Sequence, residues 1–126
     1  MNPKKDMSSR QDIELFIRAF YEKVRKDATI GIIFTELVTI NWEHHIKLIT
    51  DFWETILLDN PVYKNNAMEV HYEIHAMYPL GKQHFDAWLN LFNQTLDEMY
   101  EGSITSTAKK RALAIAQLME FKMNNK

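Results

Sequence analysis

The stretch MEVHYEIHAMYPLGKQHFDAWLNLF (residues 68–92) holds three of the chain's five histidines. His71 and His75 lie one helical turn apart, among Met, Ile, Tyr, Phe and Trp, where an aliphatic side chain would pack at lower cost. Pro79 and Gly81 divide the stretch. Before them the pattern predicts a short helix over about residues 67–75. After them it predicts a long one over about 83–100, with Phe85, Trp88, Leu89, Phe92, Leu96 and Met99 facing inward.

The same period recurs on either side. Ile13, Phe16, Ile17, Phe20 and Val24 form a helical stripe with Tyr21 on its edge, and Ser8 or Ser9 is placed to cap it. Gly31 breaks that helix, and IIFTELV (32–38) reads as a turn or short helix. Asn41 is a candidate cap for a helix presenting Trp42, His45, Ile49, Phe52, Trp53 and Ile56, which Asn60 and Pro61 end. Gly102 and Ser103 make the last break. A final helix over about residues 105–122 turns Ala108, Ala112, Ile115, Ala116 and Met119 inward. The expectation is an all-α chain, 1–126 as one domain, with a flexible tail over 1–8 and a frayed end over 123–126. Five or six helices of uneven length argue against a regular four-helix bundle.

Composition narrows the function. The chain has 126 residues, enough for a core without disulfides or a structural metal. A 12% aromatic share predicts large buried rings or a pocket lined by them. A net charge of -2 gives no basic surface for nucleic acid. The chain lacks cysteine, which removes thiol catalysis, zinc–thiolate sites and iron–sulfur clusters. That composition suits a reducing cytoplasm, where the protein is expected. No apolar run approaches ~18 residues, so no membrane span is expected.

The histidines carry the remaining signal. HYEIH (71–75) superficially resembles a zinc-binding H-E-x-x-H helix. Glu73, however, points roughly 160° to 200° away from both rings, too far to serve as an adjacent base. No histidine has Glu three residues before it, so a di-iron bundle is set aside. What remains is one inward imidazole on each of two helices, His45 and His71, set among aromatics. That pair suits a flat apolar cofactor better than a bare ion. A mononuclear metal held by histidines, or a cofactor-free aromatic groove that accepts a partner helix, stays open on the residues alone.

Four blocks then carry a resemblance: FYEKVRKD (20–27), IGIIF (30–34), NWEHHIKLITDFW (41–53) and the opening stretch. Followed by TLDEMYEG and AKKRALAIA, they resemble in order and spacing the truncated haemoglobins, group III in particular, over roughly residues 10–120. The resemblance implies a shortened globin, a two-over-two helical sandwich around one haem b. His71 then resembles the proximal iron ligand. Tyr21, His45 and Trp88 resemble the groups that face a bound ligand on the distal side. Phe34, Ile49, Trp53, Met68, His75 and Phe85 complete the expected haem contacts. His84 is expected as an exposed helix-start residue. The implied ligands are O2, NO, CO or peroxide, the implied partner is a separate reductase, and a monomer is expected. Several donors around one ligand imply slow release, which fits nitric oxide or peroxide chemistry better than oxygen delivery.

Overall fold

Ser9 starts the first helix, α1 (Arg10–Lys26), as an N-cap in extended conformation whose hydroxyl accepts the Asp12 amide. The Asp12 carboxylate reaches back to the Ser8 amide at 3.0 Å, closing a reciprocal cap. The stripe expected on this helix is the one observed: Ile13, Phe16, Ile17, Phe20, Tyr21 and Val24 are all buried. The computed structural model describes residues 4–31, 42–62 and 81–124, without the side chains of Met123 and Asn124. Within these residues follow α2 (Trp42–Leu57), α3 (Lys82–Met99) and α4 (Ser103–Asn124), with no strand. The short helix expected around residues 67–75 and the Asn41 cap lie outside the described residues.

Helix α1 packs against both α2 and α3, and α3 against α4. Phe92 of α3 is fully buried where these helices meet. Its ring centroid lies 4.8 Å from Phe16, 5.5 Å from Phe20, 5.1 Å from Trp53 and 5.3 Å from Trp88. Rings from three helices therefore converge on one side chain, Phe16 and Phe20 edge to face, Trp53 tilted and Trp88 stacked. Burying such a ring is worth about 3 kcal/mol. The small residues Ala108, Ala112 and Ala116 line the inner side of α4 and let that helix approach closely.

The inner face of α2 is rotated from the sequence expectation. Ile46, Thr50, Asp51, Trp53 and Glu54 are buried, whereas Trp42, His45, Ile49, Phe52 and Ile56 are half-buried. Hydrophobic pattern alone could not place two carboxylates inside. They are there because one nitrogen of the Arg10 guanidinium donates to both, to Asp51 at 2.6 Å and to Glu54 at 2.7 Å.

The tail expected to be free is held from residue 5 onward. Met7 is fully buried. The Asp6 carboxylate accepts the amides of Ile104 and Thr105 at 2.8 and 2.9 Å and the Thr105 hydroxyl at 2.7 Å. It thereby satisfies two of the orphan donors at the start of α4. Gly102 is required beside it. Its φ is +148°, and a Cβ there would stand 2.5 Å from Asp6 Cγ. No described helix is long and apolar enough to cross a membrane.

Candidate functional site

Tyr21 ends a full turn of buried aromatics on α1, and α2 begins directly opposite it. The Tyr21 and His45 rings meet edge to face with centroids 5.0 Å apart. Trp42, one turn before His45, touches both: 5.6 Å to Tyr21 and 5.8 Å to His45. The two polar rings singled out in the sequence are thus adjacent, and Trp42 is a third wall that periodicity had assigned only to packing. His45 Nε2 is buried. Burial also pushes the Tyr21 phenol well above its ordinary pKa, so its hydroxyl is a neutral donor at physiological pH.

Behind Tyr21 lies a small cavity of about 40 Å³. Tyr21, Ile49, Trp53 and Trp88, all expected at the site, share this lining. The spacing did not announce Ile17, Phe20, Phe52, Phe92, Ile115 and Met119 as lining residues, because each also satisfies the ordinary pattern of a core. The space exceeds what one water needs and is walled almost wholly by hydrocarbon and rings, so it suits a small apolar molecule. It is far too small for a flat cofactor. Trp88 reaches it from α3, its ring 5.8 Å from Phe20.

Phe85 is buried on α3 and lines a broader groove between α3 and α4 with Leu89, Leu113 and Phe121. His84 corrects the expectation of an exposed side chain. It is buried, and its Nδ1 accepts the Gly81 amide at 2.8 Å. Burial pulls its pKa down, and accepting an N–H requires the unprotonated nitrogen, so the ring is a neutral helix cap. Phe34, Met68, His71 and His75 lie outside the described residues. Among the described residues no three His, Asp or Glu side chains gather into a metal site.

Comparison with known proteins supplies the frame for this geometry. The family model for bacterial-like globins matches residues 6–125. The group 3 truncated hemoglobin ctb of Campylobacter jejuni serotype O:2 is 30% identical over 111 residues, covering 86% of this chain and 85% of that protein. The crystal structure of a group III truncated hemoglobin from Campylobacter jejuni superposes with a TM-score of 0.82 at 28% identity, covering 97% of this chain and 96% of that one. The chain belongs to the bacterial-like globins, as a group III truncated haemoglobin, and is by that membership a haem protein that binds small diatomic ligands.

Proposed function

We propose that this globin carries haem b and retains O2 and related diatomic ligands for chemistry rather than delivering oxygen. The observation that carries the reading is the Tyr21–His45 pair, ring centroids 5.0 Å apart, with Tyr21 lining a largely apolar cavity that Trp88 also lines. The donor set fits such a group: a phenol O–H, an imidazole and an indole N–H set on apolar walls. His71 is the residue proposed to hold the iron, with Phe34, Ile49, Trp53, Met68, His75 and Phe85 as further contacts. Haem, when bound, supplies an iron that takes one diatomic ligand.

The chain's own residues do the rest. Tyr21 Oη and Trp88 Nε1 donate, and His45 donates or accepts according to its tautomer. The surrounding hydrocarbon excludes water, so each hydrogen bond to a partly negative ligand is stronger than it would be in solvent. A ligand held by several such donors leaves slowly. Slow release is poor for transport and favourable for reaction, such as converting NO and O2 with one electron to nitrate, or reducing peroxide. The electron then comes from a separate reductase. The protein is proposed to work as a monomer in the cytoplasm.

The test begins with colour. Protein loaded with haemin is expected to show a Soret band that shifts with dithionite and carbon monoxide and is lost in His71→Ala. In the loaded protein, Tyr21→Phe should speed O2 dissociation about tenfold or more, the effect of losing one hydrogen bond to a charged acceptor. An unchanged rate would end the donor argument. A protein that takes up no haemin would end the proposal.

A further inference from the structure

We infer that Arg25 is a positioning residue for the Tyr21–His45 pair, acting through the indole of Trp42. The inference rests on the ligand pocket proposed above. Arg25 lies one turn after Tyr21 on α1, so both side chains reach the start of α2. Its guanidinium carbon stands 4.7 Å from the Trp42 ring centroid, within cation–π range. One terminal nitrogen donates to Glu22 Oε2 at 2.6 Å, which holds the fork from the outer side.

Arg25 Nε is buried and has no hydrogen-bond partner among the described residues. A surface arginine left to itself extends its head into water and solvates every N–H. Giving up that solvation costs free energy unless another negative surface replaces it. The face of the indole is that surface, and it accounts for the orphan donor.

Trp42 opens the described part of α2. Its ring rests against both Tyr21 and His45. A turn of the indole therefore displaces both polar groups together. Arg25 fixes the indole from outside the cavity and is not among the residues that line it.

The test uses the haem-loaded protein with Arg25→Met, Arg25→Lys and, as reference, Tyr21→Phe. O2 dissociation is measured by displacement with carbon monoxide. The C–O stretching band of the carbon monoxide complex reports polarity around the ligand independently of turnover. Arg25→Met keeps the aliphatic stem and removes the cation. It is expected to accelerate O2 release about two- to fivefold and to shift or broaden the C–O band, with haem content unchanged. Arg25→Lys should restore most of both, because an ammonium over the ring keeps the attraction.

If Arg25→Met moves neither readout while Tyr21→Phe moves both, the inference is overturned and the proposed function stands. The inference is also overturned if Lys and Met behave alike. If neither variant moves either readout, the proposed function falls and the inference with it. Should Arg25→Met not fold, Glu22→Gln, which frees the outer side of the fork, carries the test with the same expected direction.

Discussion

The Tyr21 ring meets the His45 imidazole at 78°, edge to face, across the seam between α1 and α2. Two polar rings in contact cannot act independently: moving one opens space for the other. The expected consequence is non-additivity. In the haem-loaded protein, the change in O2 dissociation rate for Tyr21→Phe with His45→Leu should differ from the product of the single effects by a coupling of about 0.5–1.5 kcal/mol. Multiplicative rates would show that the two residues contribute separately.

Arg10 offers a test of the buried charge network. Its guanidinium bridges Asp51 and Glu54, whose side chains are only 10% and 8% exposed. Arg10→Met leaves two neighbouring carboxylates without their shared cation. A fully buried pair broken this way costs about 3–5 kcal/mol. Arg10 is itself 37% exposed, so a loss of about 2–3 kcal/mol in a urea melt at pH 7 is expected. Burial raises the Asp51 pKa, but hydrogen bonds from Arg10 and Lys47 outweigh it and hold the carboxyl below its ordinary value. That contribution is therefore complete above the unfolded pKa and is lost as pH falls through the depressed folded value. The difference between wild type and Arg10→Met should shrink in the same acid window.

Asp6 makes a separable prediction at the start of α4. Burial raises its pKa, yet hydrogen bonds from Thr105 and from the amides of Ile104, Thr105 and Met7 lower it overall. Asp6→Ala should cost about 1–2 kcal/mol at neutral pH, the range for losing a helix cap. Because the folded pKa is depressed, the penalty should fade only below the ordinary carboxylate range. A penalty that persists unchanged at strongly acid pH would place the effect in packing rather than in the carboxylate.

These two residues also mark where sequence reading stops. Periodicity found every buried residue of the α1 stripe from Ile13 to Val24, because one-sided burial writes itself into spacing. It also placed Trp53, Phe92, Leu96 and Ala112. It did not turn α2 correctly, since Asp51 and Glu54 carry no hydrophobic signal and are held inside by Arg10, 41 and 44 residues away. It took residues 5–8 for a loose tail because Asp6 acts on Thr105, 99 positions on. His84 looked exposed because a neutral imidazole cap has no hydrophobic signature. At the site, periodicity offered Tyr21, His45 and Trp88, and their ligand-facing roles came from the resemblance. Their adjacency to Trp42 and Arg25 is a fact of tertiary packing that no local spacing encodes.

Thr50 and Thr95 provide a matched pair that separates a made hydrogen bond from a missing one. Both are fully buried in helices. Thr95 Oγ1 donates to the Leu91 carbonyl one turn back, at 2.7 Å. Thr50 Oγ1 has no hydrogen-bond partner among the described residues. A buried hydroxyl without a partner keeps its desolvation cost and returns nothing, whereas valine fills nearly the same shape without that cost. Thr50→Val should therefore stabilise the protein by about 1 kcal/mol, a rise of about 3–5 °C in Tm. Thr95→Val should lose about 0.5–1.5 kcal/mol, since it gives up a satisfied bond. Calorimetry of the two variants reads the difference directly. Equal shifts of either sign would mean that shape, and not the hydroxyl, decides the energetics of these helix seams.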